Sequence, residues 1–189
     1  MNNPIHPQNA AFAPYHQRRL SLMQHMQAAG GGIAVIPTAT EMARNRDITF
    51  PFRADSYFQY LTGFNEPEAV LVLISPPTTS ATQAPQSMLF CREKNLEREI
   101  WDGFRYGPDA AKESFAFDAA YPINAFDQQF AEQLADQPAL WYSLGHDAAW
   151  DARLTAALNT VRSQSRSGKR TPAEMRDVRA TLDAMRLMF

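Results

Sequence analysis

The side chains of this sequence that could do chemistry are few and scattered. His146 and Asp147 are adjacent, as in a proton relay or half a metal site, but no third ligand stands at helical spacing from them. In a loop after Gly145, Asp147 reads instead as the N-cap of a following helix. His6, His16 and His25 are dispersed among polar positions and read as solvated. Glu66 with Glu68, and Glu97 with Glu99, have the residue types of a general acid and base. A spacing of two in turns or edge strands marks a solvated face more simply. Cys91 is the lone cysteine, set in the apolar run Met88-Leu-Phe-Cys91, so an intrachain disulfide is impossible and a buried thiol is expected. No Gly-x-Ser-x-Gly elbow is present. Gly30-Gly31-Gly32 precedes a strand instead of following one and lacks the Gly-Lys-Ser/Thr ending, which excludes a phosphate loop.

The elements that must position these residues follow from periodicity. Leu20, Leu22, Met23 and Met26 recur at helical spacing and predict a helix over 15–29, stopped by the triple glycine. Ile33–Ile36, closed by Pro37, reads as a buried strand. Asp55 to Leu61 makes one or two helical turns, Gly63 to Pro67 turns the chain, and Ala69–Ile74 is a continuous apolar strand. The Ser/Thr/Pro/Gln-rich segment 75–86 reads as a surface loop with nothing to bury, joining that strand to a neighbour at Ser87–Cys91. Further on, Asn95–Trp101 is charged with an aromatic end. Helices are expected from Pro108 to Phe115, over 127–136 with Phe126, Phe130 and Leu134 on one face, and over 148–161 with Trp150, Leu154, Ala157, Leu158 and Val161 inward. Ala139–Tyr142 is a strand. Ser163–Arg170 reads as a flexible polar loop, and Thr171-Pro172 as the cap and first position of a last helix carrying Val178, Leu182, Met185 and Met188 on one side. Strands alternating with helices imply an α/β domain.

Composition narrows the function classes. The chain has 189 residues, of which 45% are hydrophobic and 20% charged, enough to bury one sizeable core in one domain. A formal net charge of −2 with no basic block beyond a pair excludes a phosphate-backbone footprint, so no nucleic-acid partner is expected. No run approaches the ~20 apolar residues of a membrane span, and residues 1–13 read as a flexible extension without a signal-peptide pattern. A soluble cytoplasmic protein with no membrane partner is the expectation.

Several landmarks occur in order: Arg18-Arg19-Leu20, the strand at Ile33–Ile36, Arg46-Asp47, Phe50-Pro51-Phe52-Arg53, the core Tyr60-Leu-Thr-Gly-Phe-Asn-Glu-Pro-Glu-Ala-Val-Leu-Val-Leu73, Glu99-Ile100-Trp101 with Gly103, and Met185-Arg186-Leu187. Together they resemble the amino-terminal domain of aminopeptidase P, the Xaa-Pro aminopeptidases, over nearly the whole chain. The 2–13 extension and the 75–86 loop are not family landmarks. The resemblance implies a mixed β-sheet with helices on both faces, the creatinase/prolidase amino-terminal domain with ribonuclease-H-like topology, over 14–170. It implies that the 171–189 helix leads toward a catalytic domain that this chain does not include. An uncapped apolar helix end at Phe189 fits a natural protein that continues.

The implied parent enzyme removes the first residue from peptides with proline second, using two divalent metals, Mn²⁺, held by Asp, His and Glu of the catalytic domain. None of those ligand motifs is matched here, so no catalytic or metal residue is expected in this chain, and the domain by itself is expected to be inactive. The implied partners are its own catalytic domain, further copies in a dimer or tetramer, and the peptide substrate. The resemblance places Trp101 at the substrate rim of an adjacent subunit, a core anchor being the alternative. It places Asp47 near the same mouth, facing a substrate amino end, where turn capping would also explain an acid. Arg53 is the third rim candidate, with a salt bridge or carbonyl contact in its own loop as the plainer role. A prolidase- or creatinase-like hydrolase domain and a stand-alone binding or oligomerisation module are the competing classes.

Overall fold

A computed structural model describes residues 12–41, 51–80 and 83–188 of the chain. Among these described residues seven α-helices and six strands follow in the order α1 (Ala13–Ala28), β1 (Gly32–Pro37), α2 (Ser56–Thr62), β2 (Val70–Ser75), β3 (Gln86–Cys91), α3 (Leu96–Asp102), α4 (Gly107–Phe115), β4 (Ala119–Pro122), α5 (Phe126–Leu134), β5 (Ala139–Trp141), α6 (Ala148–Ser163), β6 (Glu174–Arg176) and α7 (Val178–Arg186). The strands form one mixed sheet in the order β4-β3-β2-β1-β5-β6, so the expected α/β class holds and β2 and β3 are neighbours. Parallel pairing sets Ile33 opposite Leu140, Phe90 opposite Tyr121 and Leu140 opposite Met175.

The described residues gather into two compact units, one drawn from Met1–Arg19, Ile36–Leu71 and Ser87–Ile123, the other from Leu20–Val35, Val72–Gln86 and Asn124–Phe189. In the first unit an aromatic cluster forms the interior. Phe64 meets Phe115 edge-on with ring centroids 5.2 Å apart, and Phe115 meets Phe12 and Tyr106 edge-on at 4.9 and 5.1 Å. Such offset pairs add to the area they bury because each ring's positive edge faces a negative face.

Into this cluster α1 delivers a fully buried cation. Arg19 donates to the Leu61 carbonyl at the end of α2 (3.0 Å), and to the Phe115 (2.8 Å) and Ala116 (3.0 Å) carbonyls at the end of α4. Its guanidinium lies 4.4 Å from the Phe117 ring centroid. Helix C-termini leave carbonyls without partners, and a planar fork with several donors can satisfy two such ends at once. Burial pushes the guanidinium down to about 10, so it stays charged at neutral pH. The same contact accounts for Ala116, which is left-handed at φ 54° without being glycine. The strain is local, and the Arg19 bonds on either side of it offset the cost.

In the second unit, Leu22, Met26, Ile33, Leu73, Leu134, Leu140, Leu154, Val161 and Leu182 form the core. Helix α5 packs on α6 through Phe126, which stacks on Phe130 at 4.9 Å and meets Trp150 edge-on at 5.1 Å. The triple glycine does stop α1, its Gly31 N–H returning to the Met26 carbonyl at 2.7 Å. Gly31 has φ +80°, and a Cβ there would stand 2.6 Å from the Ser75 carbonyl oxygen and from Pro77 N, so only glycine fits.

Four expectations need correction. Thr171 and Pro172 do not start the last helix. The chain first forms β6 along β5, and Asp177 caps α7 by accepting from the Arg179 N–H at 2.9 Å. The ladder outweighs the Thr-Pro start signal because it satisfies backbone groups such as the Arg176 carbonyl, which accepts from the Tyr142 N–H. Val178, Leu182 and Met185 are buried as the stripe requires, but Met188 lies beyond α7 and is exposed. Segment 163–170 is an ordered connection with a 3₁₀ turn at Ser165–Ser167. Asp136 holds it at both polar ends of Arg170, donating its N–H to the Arg170 carbonyl and accepting from the Arg170 N–H on its carboxylate. The 75–86 loop does bury its entrance: Ser75 and Pro76 are buried, and the Ser75 hydroxyl donates to the Met23 carbonyl at 2.7 Å.

Replacing Arg19 with Lys keeps the charge but loses the fork. We expect a loss of about 3 kcal/mol, a fall in Tm on the order of 6–12 °C by thermal unfolding. Ala116→Gly relieves the left-handed strain while keeping the carbonyl, and is expected to raise stability by about 1 kcal/mol in the same measurement.

Candidate functional site

The segment Arg92–Gly107 carries Trp101, and its construction is unusual for an ordered helix. Helix α3 buries none of its residues. Leu96, Ile100, Trp101 and Phe104 are all exposed large apolar side chains, Trp101 being 86% exposed, which overturns the core-anchor alternative for it. A seven-residue helix with no buried face does not form on propensity alone. What holds it is polar. Asn95 caps its start, accepting from the Arg98 N–H at 3.0 Å. Glu99 accepts from the Lys94 ammonium at 2.6 Å and from the Arg105 N–H at 3.0 Å, which ties the helix to the chain on both sides. These bonds, the Lys94 bond first, hold the Glu99 carboxyl below its ordinary range. Lys94 also donates to the Arg105 carbonyl at 2.7 Å and lies 4.2 Å from the Phe104 ring centroid, while Arg105 pairs with Asp102 at 2.8 Å.

This clasp is anchored on the turn between α2 and β2. Glu66, expected on a solvated face, is buried. It accepts from the Tyr106 N–H at 2.8 Å and faces the Arg92 guanidinium at 3.6 Å, an ion pair longer than a good hydrogen bond. Burial raises the Glu66 carboxyl above its ordinary range, with the Tyr106 N–H and Arg92 opposing the rise. Its partner in the sequence pair, Glu68, is exposed as expected and left-handed at φ 53°. Glu97 is exposed, whereas Glu99 is drawn into the clasp. Neither pair shares a reaction geometry.

Asp47 lies outside the described residues. Arg53 is exposed and lines a hollow of about 300 Å³ together with Tyr15, Arg18, Gln59 and Tyr60. It makes no ion pair or hydrogen bond with another described residue, so neither plain role expected for it is seen there. Trp101 is not part of that wall. The remaining candidates fall where simple chemistry puts them. Asp147 caps α6, accepting from the Ala149 and Trp150 N–H groups, and His146 contacts Arg179 at 2.8 Å. His16 and His25 are exposed, and His6 lies outside the described residues. Cys91 is buried and its thiol is pushed up to about 12, chiefly by burial, which makes it a poor nucleophile. Among the described residues no three His, Cys, Asp or Glu side chains converge as metal ligands would.

Sequence reasoning missed Arg19, Glu66 and the Lys94–Glu99–Arg105 clasp. A signal for Arg19 was available. It stands three and four residues before Leu22 and Met23 and seven before Met26, a charge on the apolar stripe of α1.

The structure is a mixed-sheet α/β domain that fixes an exposed aromatic helix through polar bonds. The chain belongs to the family described as aminopeptidase P, N-terminal domain, whose sequence profile matches residues 15–141. It is 39% identical over 173 residues to the Xaa-Pro aminopeptidase of Escherichia coli (strain K12), covering 92% of this chain and 38% of that protein. It is 34% identical over 137 residues to Xaa-Pro aminopeptidase 3 of Homo sapiens, 68% of this chain and 26% of that one. Among solved structures it resembles the low-pH form of E. coli aminopeptidase P, with a TM-score of 0.85 at 38% identity over 92% of this chain and 38% of the other. It also resembles zinc-substituted E. coli aminopeptidase P in complex with product, with a TM-score of 0.83 at 38% identity over 89% and 37%. The chain thus spans well under half the length of these relatives.

The clasp predicts its own failure mode. Glu66→Ala leaves Arg92 and the Tyr106 N–H without their buried partner, and we expect a loss of about 3 kcal/mol. Amide exchange should accelerate first at Arg105 and Tyr106, while the amides of α6 keep their protection.

Proposed function

We propose that this chain is the non-catalytic amino-terminal domain of a metal-dependent Xaa-Pro aminopeptidase, one that removes the first residue from peptides with proline second. The observation that carries this reading is the 39% identity to the E. coli Xaa-Pro aminopeptidase across 92% of the chain. The hydrolytic work, with its pair of divalent metals, Mn²⁺, belongs to a catalytic portion outside these residues. The domain's own part is to support an oligomer and to shape the substrate entrance. Trp101, held in place yet uncovered, suits a rim contact, because a rigid indole brings area with few torsions to freeze. Arg53 and Asp47 are the charged rim residues of the same reading. A cytoplasmic setting fits the buried, unreactive Cys91, and among the described residues no helix is long and apolar enough to cross a membrane.

The test is made on the longer protein that contains this domain, supplied with Mn²⁺ and an Xaa-Pro-Pro peptide. The longer protein should release the first residue, and the 189-residue chain alone should not. Trp101→Ala in the longer protein should lower kcat/KM roughly ten-fold, mostly through KM, with Trp101→Phe recovering part of it. Release by the short chain, or a Trp101→Ala enzyme with unchanged kinetics and unchanged sedimentation, would overturn the corresponding part of the proposal.

A further inference from the structure

Of the seven residues of α3, Glu99 alone is not exposed, and its side chain keeps only 15% of its surface open. The helix lies on an excursion between β3 and α4 that is closed at its stem. There Lys94 donates to the Arg105 carbonyl at 2.7 Å, and a Cβ on Gly107 would stand 2.9 Å from that of Lys94. A single oxygen, Glu99 Oε1, accepts from both sides of the stem, from the Lys94 ammonium at 2.6 Å and from the Arg105 N–H at 3.0 Å. The Glu99 backbone completes the helix: its N–H donates to the Asn95 carbonyl, and its carbonyl accepts from the Gly103 N–H at 3.1 Å. Asp102 adds a tie to the Arg105 guanidinium at 2.8 Å, but from an exposed carboxylate, and such pairs contribute little singly. Glu66 holds Arg92 and Tyr106, the chain on either side of the stem, not α3 itself.

Trp101 follows Glu99 by two residues. Its indole makes no hydrogen bond, ring contact or cation contact with another described residue, in keeping with its 86% exposure. Its location is therefore that of the helix backbone. A seven-residue helix with no buried face depends on its ties and not on propensity, and the tie that grips both sides of the stem is the Glu99 carboxylate.

We infer that Glu99 is a positioning residue for Trp101: its carboxylate holds the indole in place at the peptide entrance without touching the substrate. The inference rests on the rim reading of Trp101 proposed above. With the carboxylate present, a peptide meets a helix already formed. Without it, the helix must be ordered on contact, and that cost falls on binding. The effect belongs in KM and not in kcat, because Glu99 acts through Trp101 and not on the reacting bond.

The experiment uses the longer protein with Mn²⁺ and an Xaa-Pro-Pro peptide. Glu99→Ala should raise KM roughly five-fold and leave kcat within about two-fold, and Glu99→Gln, which keeps an oxygen for the Arg105 N–H, should recover part of the loss. Added to Trp101→Ala, Glu99→Ala should cause no further change, since the side chain it positions is gone. In the 189-residue chain, Glu99→Ala should lower the heteronuclear NOE of the Ile100 and Trp101 backbone amides while those of α6 and the Tm stay as they were. Trp101→Ala raising KM while Glu99→Ala does not, additive effects of the two substitutions, or unchanged amide NOEs at Ile100 and Trp101 would overturn the inference and leave the rim reading standing. Unchanged kinetics for Trp101→Ala would overturn both.

Discussion

The fully buried guanidinium of Arg19 is the interaction on which the first unit depends. Helices α2 and α4 both end in the interior, where their last carbonyls would otherwise lack partners, and one side chain from α1 answers both ends. An amide offers two donors and an ammonium three around one nitrogen, whereas a guanidinium spreads five over a rigid plane wide enough to reach both helix ends. The aromatic cluster of Phe64, Tyr106, Phe115 and Phe117 can then close around a cation that is hydrogen-bonded and faced by a ring. The strained Ala116 is tolerated for the same reason.

That interior sets the platform for an exterior made differently. Helix α3 has no hydrophobic anchorage, and its order comes from a sequence of polar bonds starting at Glu66 and ending at Asp102. Surface ion pairs contribute little one at a time, but here they share residues, and the Glu66 end is buried, where pairing counts for more. Apolar side chains that ordinarily hold a helix down are left outward on a helix that is already ordered, which is the property the proposed rim role of Trp101 draws on.

Much of this fold was legible because its strands are apolar runs between turn residues. Ile33–Ile36, Ala69–Ile74 and Ser87–Cys91 each shifted by a residue or two at most, and Gly63 and Asp147 took the capping roles their types favour. What was not legible depended on distant partners. β4 is half-buried and ends in Pro122, a pattern tolerated where only one edge is hydrogen-bonded, and β6 exists because β5 lies beside it. The burial of Glu66 is set by Arg92 and Tyr106, and no local spacing announces a carboxylate whose partners are 26 and 40 residues away. Trp101 was legible as a type of residue and as a family landmark, while its exposure was decided by the clasp beneath it.

The central claim is that α1, α2 and α4 are joined at Arg19 and open together. Native-state hydrogen exchange tests it directly, comparing the Gly63 N–H, bonded to the Gln59 carbonyl at the end of α2, with the Phe117 N–H, bonded to the Lys112 carbonyl at the end of α4. The account predicts that both exchange through one opening of common free energy and common denaturant dependence. Independent openings, with the end of α2 exchanging through a small local fluctuation while α4 stays closed, would contradict it.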